Sequence, residues 1–173
     1  PTPVTAYLSI APKGAAFAIL LRIFFATLIV FKPQWVWLMI GTAILSMMYG
    51  NIVEISQKNI KRMLAYSGIA QIGNLLIGMA TGTKMGAEAV LFYLLTYFFA
   101  NLGAFAVIIA FSQTSRSDEI EDYSGLSRRS PFLAFAMLIF LLSLAGVPPL
   151  AGFIGKIYVF AAAIKEGLYT LIT

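Results

Sequence analysis

The feature that most constrains this chain is a succession of apolar runs long enough to cross a lipid bilayer. A helix needs about 20 mostly apolar residues to span the hydrocarbon core. Of the 173 residues, 60% are hydrophobic and 11% are charged, and a soluble domain of this length could not bury so much apolar surface. We therefore predict an all-α, polytopic transmembrane helix bundle. The predicted spans lie at about 4–30, 35–55, 63–80, 87–111 and 131–164, with the start of a further span at 168.

We expect a fragment of a longer polytopic protein, with one transmembrane domain over residues 1–173, because both ends of the chain look cut. The start has no Met and no basic segment before its apolar run, and so does not resemble a signal peptide. The chain contains no Cys and no His, which excludes disulfides and the iron–sulfur, haem and zinc sites built on these residues. The basic residues lie between apolar runs, where they indicate membrane topology rather than a nucleic-acid surface.

The loops between the spans differ in charge, and this difference predicts the orientation of the chain. If alternate loops lie on alternate sides of the membrane, one side receives six Lys or Arg and the other three. By the positive-inside rule the first side, here called the basic side, is cytoplasmic or its topological equivalent. We expect the long loop at 112–130 to be a solvated surface, and Glu54 to form a surface ion pair near Lys58 and Lys61. The basic side carries Lys58, Lys61, Arg62, Arg116, Arg128 and Arg129, and the other side carries Lys32, Lys84 and Lys165.

Lys13 is a candidate functional residue because it lies deep in the first predicted span. It stands about nine residues into that span, which places it roughly 14 Å into a hydrocarbon core about 30 Å thick. A charged side chain at this depth costs a few kcal/mol and is by default a functional hypothesis. The alternative is a structural ion pair with a helix outside this chain.

Polar side chains recur on one face of the third predicted span and on one face of the fourth. Their spacing is i, i+4, i+7 in the third span and i, i+4, i+8 in the fourth, so each set shares a helix face. Such stripes usually form hydrogen bonds between helices; alternatively, they line a hydrated path through the bundle. The candidate path residues are Ser67, Gln71 and Asn74 in the third span, and Tyr93, Tyr97 and Asn101 in the fourth.

The fifth predicted span contains a break followed by a lysine. Pro148 and Pro149 remove two backbone donors and Gly146 and Gly152 flank them, so we predict a discontinuous helix near 146–152. Discontinuous helices are tolerated in membranes where their free backbone groups meet protein or water, and they recur at ion sites of transporters. Lys156 comes one turn after Gly152, and the apolar run continues beyond it. It is a second candidate functional lysine; the alternative is a lysine that snorkels past a simple proline kink.

Two buried lysines suit a role in proton transfer. Burial disfavours the charged form of a lysine and a nearby carboxylate favours it, so a change in hydration can load or release a proton. Lys13 and Lys156, joined by hydroxyls, amides and water, would form a relay. Nothing in the sequence matches a nucleotide-binding loop, a metal cluster or a catalytic triad. A purely structural bundle, with both lysines satisfied by ion pairs, is the alternative from another class.

Three motifs carry a resemblance to a known family. They are the opening "PTPVTAYLSIAPKGAAFAILLRIF", "NIKRMLAYSGIAQIG" (59–73) and "LSLAGVPPLAGFIGKIYVF" (142–160). Together they resemble the antiporter-like N-type membrane subunit of the type I NADH:quinone oxidoreductase, respiratory complex I. The cyanobacterial and chloroplast counterpart that serves plastoquinone is also similar. The middle motif is shared with the L-type and M-type subunits and with multisubunit cation/proton antiporters, whereas "GFIGK" and "PTPVTAYLSIAPK" favour the N type.

The resemblance implies a place for each candidate lysine. The family fold has about fourteen helices with two inverted five-helix repeats, each repeat containing one broken helix. This chain would hold helices eight to twelve and the start of helix thirteen, with Lys13 as the central lysine of helix eight. Lys156 would be the lysine of broken helix twelve, on the exit side. A functional glutamate of helix five and a lysine of helix seven would lie outside the chain. Many relatives carry His at the position of Gln71. Gln does not ionise near neutral pH, so Gln71 could take part in proton transfer only through hydrogen-bonded water.

The resemblance also implies the partners and cofactors. It implies a proton-translocating subunit that couples quinone reduction to proton transfer through buried lysines. NADH, FMN, iron–sulfur clusters and quinone would be bound by partner subunits, with no cofactor or metal in this chain. The expected hetero-oligomer contains M-type, K-type and J-type neighbours in the lipid bilayer, without nucleic acid, in a bacterial inner membrane or an organelle inner or thylakoid membrane. The alternative is a component of a multisubunit cation/proton antiporter without a redox partner.

Overall fold

Residues 2–115 and 117–168, which the computed structural model describes, form a bundle of helices. Within these ranges the chain has seven α-helices and no β-strand, so the all-α class is confirmed. A π-helical turn spans Ile23–Thr27, and 3₁₀ turns span Ile29–Phe31 and Ile120–Tyr123. Arg116, and all but the first residue of the span predicted from 168, lie outside the described residues. The α-helices are α1 (Thr2–Arg22), α2 (Lys32–Ile55), α3 (Ile60–Ala80), α4 (Lys84–Ser115), α5 (Leu126–Arg129), α6 (Pro131–Ala145) and α7 (Ala151–Lys165).

Among the residues that the structure describes, four helical segments are long and apolar enough to cross a membrane. They are Pro3–Thr27, Ile29–Ile55, Ile60–Ala80 and Lys84–Gln113. The chain is therefore a multi-pass membrane protein, as its composition predicts. Helices α6 and α7 have 15 residues each, and the segment between Ala145 and Ala151 interrupts them, which confirms the discontinuous helix.

Helices α2 and α3 pack closely because glycines let their backbones approach. A Cβ added at Gly50 would lie 2.6 Å from the amide nitrogen of Ala70, and one added at Gly73 would lie 2.4 Å from Cγ of Met47. Small residues at a helix interface are the usual device for close packing in membranes. Helix α4 contacts α1, α3, α6 and α7, so the polar faces of α3 and α4 meet the broken helix inside the bundle.

The loop after α4 is docked on the turn between α2 and α3. The amide of Ile60 donates to the carbonyl of Asp118 over 3.0 Å, and the amide of Ile120 donates to the carbonyl of Lys58 over 2.8 Å. Nζ of Lys61 lies 2.6 Å from Oδ2 of Asp118. Most side chains at 117–130 are exposed or half-buried, as expected for a solvated surface, but the direct pairing of backbone groups between the two segments is a contact that sequence spacing does not reveal.

Tyr123 lies in this docked loop, outside the spans. Its ring packs against Phe111 with 4.2 Å between ring centroids. Burial and the nearby carboxylate of Asp118 raise the pKa of Tyr123 to about 12, since both disfavour the phenolate. The phenol therefore stays neutral at physiological pH and serves as a packing group.

Candidate functional site

The break between α6 and α7 leaves two backbone carbonyls without their usual donors. In an α-helix the amide of residue i bonds the carbonyl of residue i−4, so positions 148 and 149 would serve Leu144 and Ala145. Both positions are proline and have no N–H. Gly146 ends α6 in the left-handed conformation, at φ 85°. Among the described residues, Pro148 and Pro149 are exposed. The carbonyls of Leu144 and Ala145 must therefore accept hydrogen bonds from other donors.

Lys156 supplies the missing donors. Its Nζ lies 2.9 Å from the carbonyl oxygen of Ala145 and 3.1 Å from that of Leu144. The lysine stem crosses Gly146, where an added Cβ would lie 2.8 Å from Cδ of Lys156. A cation is stabilised at the C-terminus of a helix, where the unpaired carbonyls carry partial negative charge. The predicted lysine therefore faces the break and does not snorkel away from it.

Gly152 brings the start of α7 against the end of α6. Gly152 is buried, and its amide donates to Oγ of Ser143 over 3.2 Å. A Cβ added at Gly152 would lie 1.8 Å from the carbonyl oxygen of Ser143, a distance that no side chain can occupy. This close contact fixes the position of Lys156 one turn later in α7.

The polar stripe of α3 joins Lys156 through the carbonyl of Leu144. Nε2 of Gln71 donates to that oxygen over 2.9 Å, so the carbonyl accepts hydrogen bonds from both Gln71 and Lys156. Oε1 of Gln71 accepts from Nδ2 of Asn74 over 3.1 Å and from the hydroxyl of Tyr93. The structure thus brings together four predicted site residues, and we call them, with the carbonyl of Leu144, the Lys156 cluster.

A second group, the Lys13 cluster, joins Lys13, Tyr97, Asn101 and Ser9. Nζ of Lys13 donates to the hydroxyl of Tyr97 over 3.0 Å. Nδ2 of Asn101 lies 3.4 Å from the same hydroxyl and 3.1 Å from Oγ of Ser9. Gly68 of α3 makes room for the lysine, since an added Cβ there would lie 2.2 Å from Nζ. Lys13 is therefore held by neutral polar groups.

A small cavity separates the two clusters. Its volume is about 10 Å³, which is the space that one water molecule needs. Tyr93 and Tyr97 lie one helical turn apart on α4 and contribute to its wall from opposite clusters. The other lining residues are Thr96, Ala100, Ser143, Leu144 and Gly152.

Neither candidate lysine forms an ion pair within 4.0 Å among residues 2–115 and 117–168. Both are partly buried, and their hydrogen-bond acceptors carry no formal charge. This part of the chain therefore does not contain the satisfied ion pairs of the structural alternative. The salt bridges that it does contain join Lys32 to Glu166 over 2.9 Å, Lys61 to Asp118 over 2.6 Å, and Lys84 to Glu88 over 3.9 Å.

A larger polar cavity lies beside the Lys156 cluster. Its volume is about 490 Å³, and Lys156, Gln71, Ser67 and Glu54 all contribute to its wall. Glu54 interacts with the hydroxyl of Ser67 and lies within electrostatic reach of Lys156. Ser67, which belongs to neither cluster, lines this cavity together with Gln71 and Lys156.

The prediction for Glu54 is wrong, because Lys61 pairs with Asp118 and Glu54 faces the cavity instead. A signal in the sequence could have indicated this. Glu54 follows Met47 and Gly50 at i+7 and i+4, so the three share one face of α2. That face packs against α3 at Gly50, and its last turn must point toward the bundle interior.

Comparisons with known proteins give consistent similarities. A family model described as "NADH:quinone oxidoreductase/Mrp antiporter, TM" matches residues 1–173. The chain is 53% identical over 166 residues to NADH-quinone oxidoreductase subunit N of Moorella thermoacetica, covering 96% of this chain and 35% of that protein. It is 49% identical over 172 residues to NAD(P)H-quinone oxidoreductase subunit 2 of Gloeobacter violaceus, covering 99% of this chain and 34% of that protein.

A solved structure has the same fold as this chain. It is respiratory complex I from Thermus thermophilus with bound NADH, with a TM-score of 0.77 and 30% sequence identity. The match covers 87% of this chain and 33% of that chain. This chain therefore spans about a third of the length of the proteins that it resembles.

Proposed function

The chain belongs to the transmembrane family of NADH:quinone oxidoreductases and Mrp antiporters, and we propose that it is part of an N-type, proton-translocating subunit of an NADH:quinone oxidoreductase. The names of its relatives, subunit N and subunit 2, support this subunit type. One observation carries the mechanism: the carbonyl of Leu144, freed by the helix break, accepts hydrogen bonds from both Lys156 and Gln71. A partly buried lysine is thereby joined to a polar stripe through the bundle.

We propose that protons pass between Lys13 and Lys156 through hydroxyls and water. The hydroxyl of Tyr97 accepts a hydrogen bond from Lys13, and its own O–H can donate to a water in the 10 Å³ cavity. The hydroxyl of Tyr93 lies on the side of the Lys156 cluster and donates to Gln71. A peptide carbonyl does not relay protons, so the role of Leu144 is to hold the ammonium while water in the larger cavity carries the proton.

The redox chemistry would belong to partner subunits. This chain has no Cys and no His, the residues that ligate iron–sulfur clusters and haem. Iron–sulfur clusters would therefore be held by partners. We extend the same assignment to NADH, FMN and quinone because of the family resemblance, so that this chain would contribute proton transfer alone. The proposed partners are M-type, K-type and J-type membrane subunits in a bacterial inner membrane or its organelle equivalent.

Copurification tests the proposed function. The full-length protein, tagged and purified from its native membrane, is expected to carry redox subunits that reduce quinone and, in proteoliposomes, to translocate protons during that reaction. Isolation with cation/proton exchange subunits alone, together with Na⁺/H⁺ exchange in the absence of an electron donor, would establish the antiporter alternative instead.

Gly68→Ala tests the position of Lys13 without changing its charge. The new methyl group would occupy the place of Nζ, and the lysine end must move away from Tyr97. Because misplacement by about 1 Å can cost a hundredfold in rate, we expect proton translocation to slow on the order of tenfold to a hundredfold. The measurement is proton translocation by the assembled complex in proteoliposomes.

Gly14→Ala is the matched control, because a Cβ at Gly14 would meet nothing within 4 Å. It lies beside Lys13 in α1 and should leave translocation unchanged. Equal rates for Gly68→Ala and Gly14→Ala would show that the contact between Lys13 and Tyr97 is not used.

A further inference from the structure

Glu54 is a carboxylate that the proposed path between the two lysines does not use. It is half-buried one residue before the end of α2 and makes no ion pair within 4.0 Å among the described residues. Its side chain lines the 490 Å³ cavity and interacts with the hydroxyl of Ser67. A carboxylate in a membrane span without an ion pair is costly, and by default it is therefore a functional hypothesis.

The cavity places Glu54 and Lys156 in one polar space. Lys156 enters it from α7 and Glu54 from α2, and the charges of the two side chains interact. The wall also carries Gln71, Ser67 and Asn51, and the volume leaves room for several water molecules. A proton can therefore cross from one group to the other through water without passing through apolar packing.

The position of Glu54 in the fold gives this exchange a direction. The turn after α2 begins at Ser56 and carries Lys58, and Lys61 and Arg62 follow in the first turn of α3. These three cations belong to the basic side. Glu54 is thus the acidic group of the cavity that lies next to the aqueous surface of that side, whereas Lys156 sits deeper, at the helix break.

We infer that Glu54 exchanges protons with Lys156 across this cavity and loads the lysine from the basic side; the inference rests on the proposed function. In the loading step the carboxylic acid of Glu54 loses its proton to the neutral amine of Lys156, giving a carboxylate and an ammonium. The carboxylate then takes up a proton from water on the basic side. Lys156 thus receives protons from Glu54 as well as from Lys13.

The test compares Glu54→Gln with Glu88→Gln in the intact complex in proteoliposomes. Glu88 is a matched control, since it is exposed on α4 and lies 3.9 Å from Lys84, away from the cavity. We expect Glu54→Gln to slow proton translocation about tenfold. This effect is smaller than that of losing an essential acid–base group, because Lys13 remains as a second proton source for Lys156. Glu54→Asp, which keeps the carboxyl group, should restore most of the rate, and Glu88→Gln should behave as the unmodified complex.

A chemical readout that does not depend on activity accompanies these rates. Dicyclohexylcarbodiimide enters membranes and modifies protonated carboxyl groups within membrane spans, and peptide mass mapping reports the modified residue. We expect Glu54 to be modified in the unaltered complex, and more strongly in Lys156→Met, since the carboxyl then loses the cation that favours its charged form. Modification of Glu88 should not respond to Lys156→Met.

The outcomes separate this inference from the proposed function. If Lys156→Met stops translocation while Glu54→Gln matches Glu88→Gln, the inference fails and the proposed function stands. If Lys156→Met leaves translocation unchanged, the proposed function itself fails. Should Glu54→Gln prevent assembly, carbodiimide labelling of the unaltered complex decides: absence of label on Glu54 overturns the inference, and label that increases in Lys156→Met supports it.

Discussion

Lys156→Met should slow proton transfer through this chain on the order of a hundredfold or more, as expected for loss of a proton-carrying group. Methionine matches the length of the lysine stem but its side chain has no N–H, so the exchangeable proton is removed. The carbonyl of Ala145 would lose its donor, and that of Leu144 would keep only Gln71. The measurement is the number of protons translocated per electron, together with the rate of quinone reduction, in reconstituted complex. At least one of these two values should fall.

Lys165→Met is the control for this substitution. Lys165 ends the same helix and is exposed, so its removal changes the charge of α7 without touching the break. Lys156→Arg is also informative, because arginine keeps the charge and the donors but cannot release its proton. A Lys156→Met complex in which both the protons per electron and the rate of quinone reduction stay normal would contradict the proposed role of this lysine.

Gly152→Ala should have the largest effect on folding and assembly. The new methyl group would lie 1.8 Å from the carbonyl oxygen of Ser143, and this atom belongs to the backbone and cannot rotate away. Because α6 and α7 must separate to accept it, we expect a cost of about 3 kcal/mol or more, the upper end of the range for overpacking. The measurements are the amount of assembled complex in the membrane and its Tm.

Gly41→Ala provides the comparison, since a Cβ at this helical glycine would meet nothing within 4 Å. It should leave assembly and Tm near those of the unaltered complex. If Gly152→Ala had a Tm equal to that of Gly41→Ala, the contact between α6 and α7 could not be what positions Lys156.

Much of the fold could be predicted from the sequence because membranes impose simple rules. Apolar runs of about 20 residues predict spans, and the adjacent prolines at 148 and 149 predict the interrupted helix, since neither can donate to an earlier carbonyl. The motifs around Lys13 and Lys156 predict the family, and the match over residues 1–173 confirms it. The roles of the individual site residues stay predictions.

The contacts between distant segments could not be predicted in the same way. Glu54 has a basic turn after it in the sequence, and charge alone favours a local ion pair. Lys61 does not pair with Glu54 because it binds Asp118, which lies 57 positions further along the chain. Similarly, helical spacing places Gln71 on a polar face, but it does not reveal that the partner is a backbone carbonyl 73 positions away. Such pairings depend on how the helices are arranged in space.

The double proline has a mechanical consequence. At Ala145 a backbone amide donor, which keeps its proton under physiological conditions, is replaced by the ammonium group of Lys156, which can lose a proton. At Leu144 the same ammonium group shares the carbonyl with Gln71. Hydrogen bonds from a charged donor are roughly twice as strong as those from a neutral one, so deprotonation of Lys156 would weaken the tie between the two half-helices. The stiffness of this joint would then depend on the protonation state of Lys156. Each proton transfer at Lys156 would therefore change how firmly α6 and α7 are held together.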